Sequence, residues 1–365
     1  MKKVLVCIGT RPNLIKITKL EECFDKYPDL EFRLLHTGQH YDYNMNEVFF
    51  EQLGIKRPDK IFNLEGKTQI QVLSEIMVKA EEYMIDYAPD LVLVPGDVNS
   101  TFACALAASR NGIKVAHLES GLRSFDRTMP EEINRIMTDD LADLFFVTEP
   151  SGIKHLKEEG KNEEAIKYVG NTMIDSLVKF EETFEASDIL ERLSIKPGEY
   201  ITFTFHRPGN VDNQTNLSAL VQVIESISKN RKVVFPIHPR TKKNLEKFGL
   251  STLLDSNNII FTDPLGYIDF MKLIKESKVV ITDSGGIQEE TTFQQVPCLT
   301  VRPNTERPVT VDEGTNTMMS LDKEAIIAKV EEVELGTYKK GAIPKYWDGS
   351  ASDRIVECIH EYLVH

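Results

Sequence analysis

Short apolar runs rich in β-branched residues recur along the chain, and each is followed by a stretch with helical spacing of apolar and polar positions. In the first half the runs are Val4–Ile8, Phe32–His36, Leu91–Val94, Lys114–Leu118 and Leu144–Val147. In the second half they are Tyr200–Phe205, Val233–Ile237, Ile259–Thr262, Val279–Thr282 and Cys298–Val301. Runs apolar at successive rather than alternating positions belong to strands covered on both faces, and their alternation with helices predicts parallel α/β sheets. Between the two series, Tyr168-Val169-Gly170-Asn171-Thr172 reads as a strand-like end running into a turn, with a charged helical segment from Met173 to about Glu185 beyond it. The pattern predicts two α/β domains of similar design, residues 1–170 and 171–350, meeting at this turn. A last helical segment, Ala351–Leu363, follows Trp347-Asp348-Gly349-Ser350, and periodicity alone leaves open which domain it packs on.

A chain of 365 residues exceeds what one hydrophobic core usually organises, in keeping with two domains. With 41% hydrophobic and 27% charged residues the chain is globular rather than disordered or fibrous. Its formal net charge of −14 excludes a broad basic surface for nucleic acid or anionic lipid, so an anionic ligand has to be held by local cations. The five cysteines, Cys7, Cys23, Cys104, Cys298 and Cys358, never form a CxxC pair and read as reduced packing residues. The basic, then apolar start Met1–Gly9 is too short for a signal core and reads as a buried strand. No apolar stretch is long enough for a bilayer, so a cytoplasmic protein is expected.

In open parallel sheets ligands bind beyond the carboxyl ends of the strands, where helix N-termini offer unpaired N–H groups. After the first run comes Gly9-Thr10-Arg11-Pro12-Asn13, with Pro12 suited to a first helical turn, which places Arg11 at a helix N-terminus where its fork suits a diphosphate. A plain surface arginine is an equal reading of that motif alone. After Val279–Thr282 comes Asp283-Ser284-Gly285-Gly286-Ile287-Gln288-Glu289-Glu290: the glycines admit a phosphate to the backbone, Ser284 adds a hydroxyl, and Glu290 is spaced to accept from ribose hydroxyls. Neither a Walker sequence nor GxGxxG is present, which argues against ATP hydrolysis and NAD.

Three carboxylates follow strands in the first half: Asp97 in Val94-Pro95-Gly96-Asp97, Glu119 in His117-Leu118-Glu119-Ser120-Gly121, and Glu131 in Pro130-Glu131-Glu132-Ile133-Asn134-Arg135. Singly, each suits a cap or turn, and Glu131 with Arg135 at i+4 suits a surface ion pair. In the second half, Phe205-His206-Arg207-Pro208 and Ile237-His238-Pro239-Arg240 each set a histidine beside an arginine at a strand end; for His238 a structural hydrogen bond is the expectation. His36 and His40 are four apart, but Gly38 and the strand before it disfavour a helical zinc pair. Asp97 and Asp283 could hold magnesium over a diphosphate, yet local cations make it dispensable, so neither metal nor cofactor is expected.

Taken together, Gly9-Thr10-Arg11-Pro12, Thr37-Gly38-Gln39-His40, Pro95-Gly96-Asp97, His117-Leu118-Glu119-Ser120-Gly121-Leu122-Arg123-Ser124, Pro130-Glu131-Glu132-Ile133-Asn134-Arg135, Asp283–Glu290 and Asn304-Thr305-Glu306-Arg307-Pro308 follow in an order and spacing that resembles the non-hydrolysing UDP-N-acetylglucosamine 2-epimerases over nearly the whole chain. The resemblance implies a GT-B-like fold with two Rossmann-like parallel-sheet domains facing an interdomain cleft, the last helix (351–365) returning to the N-terminal domain, and a homodimer. It implies reversible C2 epimerisation of UDP-N-acetylglucosamine to UDP-N-acetylmannosamine through a 2-acetamidoglucal, supplying surface polysaccharide precursors of the bacterial type. Asp97, Glu119, Glu131, Arg135 and His206 would be the catalytic set. Arg11, Lys16, Phe270, Ser284, Gly285, Gly286, Glu290 and Arg307 would bind substrate, with Phe270 near the uracil.

The chain departs from the family pattern at three places. Asn13 stands for a glutamate common after Gly-Thr-Arg-Pro, His206-Arg207-Pro208-Gly209-Asn210 lacks an acid found in many members, and Tyr41-Asp42-Tyr43 differs from the basic or amide-rich version linked to regulation by a second substrate molecule. No such regulatory site is therefore expected, and a modified amino sugar (6-deoxy or 2,3-diacetamido) stays open as substrate. The rival readings are a hydrolysing epimerase that releases N-acetylmannosamine, a GT-B glycosyltransferase and a non-catalytic UDP-sugar-binding regulator; the presence of all three carboxylates weighs against the last two.

Overall fold

The computed structural model describes residues 1–39, 50, 53–251 and 256–365. The chain divides into two compact units, residues 1–179 with 345–365 and residues 180–344.

The first unit is built on a parallel sheet of order β3-β2-β1-β4-β5-β6-β7, with strands Lys2–Ile8 (β1), Leu30–His36 (β2), Lys60–Ile61 (β3), Leu91–Pro95 (β4), Lys114–Leu118 (β5), Leu144–Val147 (β6) and Ile166–Tyr168 (β7). Val4–Ile8 and Leu91–Val94 are almost wholly buried, as strands at the centre of a doubly covered sheet must be. The order reverses between β1 and β4, so the turns after these two strands, Gly9–Asn13 and Gly96–Asp97, open at the switch point where ligands of such sheets bind.

The second unit repeats the design as β10-β9-β8-β11-β12-β13, with Tyr200–Thr204 (β8), Lys232–Pro236 (β9), Ile259–Thr262 (β10), Val279–Thr282 (β11), Cys298–Val301 (β12) and Asn316–Met319 (β13), again all parallel. Phe203, Val233, Val279 and Leu299 join Leu220, Ile224, Ile227 and Ile326 from the covering helices in its main core. Its switch point lies between β8 and β11, so Phe205-His206 and Asp283-Ser284-Gly285 emerge side by side.

The units part at Lys179–Phe180 rather than at the expected Gly170, and the first unit takes back the chain from Lys345 rather than from Ala351. Hydrogen bonds explain both shifts. In the helix Thr172–Lys179, Ser176 Oγ meets Thr18 Oγ1 at 2.6 Å and Lys179 Nζ donates to the Thr18 carbonyl at 2.7 Å. Trp347 is buried with Nε1 donating to the Thr148 carbonyl at 3.0 Å. Asp175 then caps the last helix, Ala351–Val364, accepting from Ala351 N at 2.9 Å and Ser352 N at 2.6 Å. All five cysteines are free thiols, four buried and Cys358 half-buried. Among the described residues no helix is long and apolar enough to cross a membrane.

Candidate active site

In the first unit the turn after β1 enters the helix Arg11–Lys16. Asn13 Oδ1 accepts from Gly9 N, Thr10 N and Thr10 Oγ1 at 3.3, 3.2 and 3.0 Å, while Nδ2 donates to the Pro95 carbonyl at 3.3 Å. That amide ties the two switch-point turns together with a donor that a glutamate there would lack. Arg11 begins the helix, and its partial burial lowers its pKa.

At the other end of that helix Lys16 Nζ meets Glu119 Oε2 at 2.8 Å, both side chains buried. Glu119 sits just past β5 with φ 72°, a left-handed conformation uncommon for a residue with a side chain and usually held by its surroundings. Gly96 also has φ +72°, and a Cβ there would lie 3.0 Å from Lys16 Nζ and 3.8 Å from Glu119 Oε2. Only glycine lets the chain pass so close to this ion pair and turn into Asp97.

Asp97 Oδ2 accepts from Arg135 Nε at 3.1 Å and Nη2 at 2.9 Å, and its carbonyl accepts from Asn134 Nδ2 at 2.9 Å. Arg135, buried on the helix Pro130–Leu141, is itself held by Glu132, whose carboxylate also accepts from Ser124 N, Ser124 Oγ and Phe125 N, each at 2.9 Å. Glu131 lies exposed on the same helix.

In the second unit Asp283 is fully buried and accepts from His206 N at 3.1 Å, Arg207 N at 3.0 Å and Asn210 Nδ2 at 3.0 Å, with His206 Nδ1 at 3.3 Å. It binds the end of β8 to the end of β11. Lost hydration lowers the His206 pKa, outweighing the attraction of Asp283, although 43% of the side chain still meets solvent. His238 caps the helix Pro239–Lys247, its Nδ1 accepting from Arg240 N at 3.1 Å. Gly209 borders open space.

Ser284 occupies the cap position of the helix Gly285–Phe293, but its hydroxyl does not cap it. A Cβ on Gly285 would come within 2.9 Å of both Arg307 Nη1 and Glu306 Oε1. Arg307 is paired with Glu306 and, at 2.9 Å through Nε, with Glu289, while Arg302 Nη2 reaches Glu306 at 2.9 Å. The turn is braced beneath by Gln288, whose Oε1 accepts from Thr305 Oγ1 at 2.7 Å and Asn316 Nδ2 at 3.1 Å. Glu290 is buried, and burial, then the charge of Glu289, pushes its pKa up to about 8. Phe270, on the helix Tyr267–Lys275, is partly buried against Ile195, Tyr200, Val234 and Leu273. Gly286 follows Gly285 as the second residue of its helix.

Each unit therefore presents, at its own switch point, a set of charges fixed by buried partners: carboxylates on cations in the first, and a glycine turn over an arginine with a buried acid in the second. The family description "UDP-N-acetylglucosamine 2-epimerase" matches residues 22–360. The chain belongs to the UDP-N-acetylglucosamine 2-epimerase family. It is 40% identical over 341 residues, 91% of this chain and 92% of the other, to a UDP-N-acetylglucosamine 2-epimerase of Methanococcus maripaludis. It is 38% identical to a UDP-2,3-diacetamido-2,3-dideoxy-D-glucuronate 2-epimerase of Pseudomonas aeruginosa, covering 97% and 98% of the two chains. The crystal structure of Methanocaldococcus jannaschii UDP-GlcNAc 2-epimerase with UDP-GlcNAc and UDP superposes with a TM-score of 0.89 at 36% identity, covering 98% of this chain and 99% of that one. The fold class expected from the sequence, GT-B-like with two Rossmann-like parallel-sheet domains, holds.

Within this epimerase fold the structure brings Lys16 to Glu119 and Arg135 to Asp97, and sets Ser284, Gly285 and Arg307 together. Arg135 is a buried residue shared by Asp97 and Glu132, so the surface-pair reading of its place on the helix does not apply. Glu132, Asn13 and Arg302 carry buried contacts that sequence reasoning did not assign. Asp97 and Asp283 are engaged by protein groups, and among the described residues no group of three or more His, Cys, Asp or Glu is placed to hold a metal. His36 ends β2 and its Nδ1 accepts from Gly38 N at 3.0 Å, whereas His40, Tyr41, Asp42 and Tyr43 lie outside the described residues.

Proposed function

We propose that this epimerase interconverts UDP-N-acetylglucosamine and UDP-N-acetylmannosamine by eliminating UDP across C1–C2 and adding it back. The observation that carries the reading is the pairing of Asp97 with Arg135 and of Glu119 with Lys16: two carboxylates, each oriented by a buried cation. The C2 proton is weakly acidic, so its removal needs such a positioned carboxylate. In the forward half-reaction the C2–H pair becomes the C1=C2 bond of 2-acetamidoglucal, the proton passes to a carboxylate, and the C1–O bond breaks to release UDP. In the return, a diphosphate oxygen bonds C1 and a proton reaches C2 on the opposite face, which calls for acids on both sides of the ring and makes Glu131 the third candidate.

The nucleotide falls to the second unit: Ser284 and Gly285–Gly286 on the diphosphate, Arg307 and His206 on its growing charge, Glu290 on the ribose and Phe270 near the uracil. No metal or redox cofactor enters these steps. A homodimer working in the cytoplasm on surface polysaccharide precursors completes the reading, and the family resemblance supports it.

The test is incubation with UDP-N-acetylglucosamine in deuterated water, followed by NMR. Growth of UDP-N-acetylmannosamine with deuterium at C2 is the expected result; free N-acetylmannosamine would make the enzyme a hydrolysing one. The likeness to the Pseudomonas aeruginosa enzyme supports a second reading, a UDP-2,3-diacetamido uronate substrate. Turnover of that sugar with none of UDP-N-acetylglucosamine would replace the first.

A further inference from the structure

We infer that His117 and Asp139 are positioning residues that fix the Asp97 and Glu119 turns against each other from within the sheet, an inference that rests on reading those two carboxylates as acid/base groups. His117 is the penultimate residue of β5 and is fully buried. Its Nε2 lies 2.8 Å from the carbonyl of Gly96, the residue before Asp97, and its Nδ1 lies 2.6 Å from Asp139 Oδ1. The other carboxylate oxygen of Asp139, Oδ2, accepts at 3.0 Å from the N–H of Gly121, two residues beyond Glu119. One buried chain of hydrogen bonds thus runs from the turn that carries Asp97 to the turn that carries Glu119. Asp139 sits on the helix Pro130–Leu141, whose Arg135, one turn earlier, grips the Asp97 side chain.

Both atoms facing the imidazole are acceptors, a carbonyl and a carboxylate, so each ring nitrogen is aimed at a fixed oxygen. The Asp139 carboxylate is kept ionised by His117 and by Arg123 Nη2 at 2.7 Å, against the opposing effect of its burial, and Arg123 is held in turn by Glu159 at 2.9 and 2.7 Å. A buried charged cluster is a poor way to stabilise a sheet, because apolar side chains of similar volume fill the same space without the desolvation cost. What it supplies is direction. The Gly96 carbonyl and the Gly121 N–H are each aimed at one atom, and a displacement of about 1 Å in a reacting group costs roughly a hundredfold in rate.

The test compares His117→Gln, which keeps an amide N–H for the Gly96 carbonyl, with His117→Leu, which removes it, and adds Asp139→Asn. Their folding is followed by circular dichroism, UDP affinity by calorimetry, and turnover by C2 deuterium exchange. The expected result is a kcat lowered roughly 10- to 100-fold in His117→Leu and Asp139→Asn with KM and UDP affinity within about threefold of wild type, and partial recovery of kcat in His117→Gln. Wild-type kcat in His117→Leu would overturn the inference. So would equal losses of kcat in folded His117→Gln and His117→Leu, or UDP affinity falling in step with kcat, since a merely structural role gives those outcomes. Should His117→Leu fail to fold, the kcat against KM split in His117→Gln and Asp139→Asn decides. Full C2 exchange in Asp97→Asn and Glu119→Gln would instead remove the acid/base reading beneath it, so the two failures are distinguishable.

Discussion

Lys16 and Glu119 form an ion pair at 2.8 Å with side chains only 10% and 3% exposed. Buried charges so placed are worth little as a pair but a great deal when one partner is removed. Lys16→Met is expected to destabilise the protein by about 3 kcal/mol because Glu119 loses the cation facing it. Lys16→Met combined with Glu119→Gln is expected to regain part of that stability while C2 exchange stays absent. Thermal unfolding of the single and double variants checks the first statement, and deuterium exchange the second; additive stability losses would show that the pair is not coupled.

Glu131 and Glu132 are neighbours on one helix with opposite environments, the first exposed and the second buried on Arg135, Ser124 and Phe125. Glu131→Gln is expected to leave stability within about 0.5 kcal/mol of wild type while lowering kcat, because an exposed acid acts through chemistry and not packing. Glu132→Gln is expected to lower both stability and kcat, since it weakens the hold on Arg135 and through it on Asp97. Denaturant unfolding beside steady-state kinetics separates the two; a stability loss in Glu131→Gln as large as in Glu132→Gln would contradict the assignment.

The contrast between those two glutamates also shows what the sequence disclosed. Strands such as Val4–Ile8 and Val279–Thr282 are legible because burial on both faces writes an unbroken apolar run, and the chemistry-bearing turns follow from where such strands end. β3 and β13 were not legible. Lys60–Ile61 is an exposed two-residue edge, and Asn316-Thr317-Met318-Met319 is half polar because Asn316 is turned to Gln288 and Thr300. Adjacent helical residues point some 100° apart, and which of Glu131 and Glu132 faces inward depends on the loop Ser124–Phe125 that only the fold brings near. The boundary expected near Gly170 lies later in the chain because Ser176 and Lys179 bind the next helix back to Thr18, a contact distant in sequence.

Gly285 holds its place through lack of space. A methyl group there would meet Arg307 Nη1 and Glu306 Oε1 at 2.9 Å, and Arg307 is tied down by Glu289 and Glu306. Gly285→Ala is therefore expected to push the guanidinium aside and weaken UDP binding by about tenfold, the size of one displaced charge-assisted hydrogen bond. Calorimetric titration with UDP measures it. Unchanged affinity would mean that Arg307 does not serve the diphosphate.

Glu290 offers a test by pH. Burial, then Glu289, raises its pKa from an ordinary 4.5 to about 8, so in the free protein near neutrality it carries a proton. The folded state then binds a proton that the unfolded state releases. The resulting stability is full below about 4.5 and is lost as the pH rises through about 8. Ribose hydroxyls donating to the carboxylate favour its charged form, so UDP binding should draw the pKa down, release a proton, and tighten as the pH rises from 7 towards 9, levelling above the free-protein pKa. Calorimetry of UDP binding in buffers of different ionisation enthalpy counts that proton, and Glu290→Gln should abolish the release and flatten the affinity profile while wild type keeps its slope. Proton release unaltered by Glu290→Gln would assign the titration to another group and leave Glu290 without a part in holding the ribose.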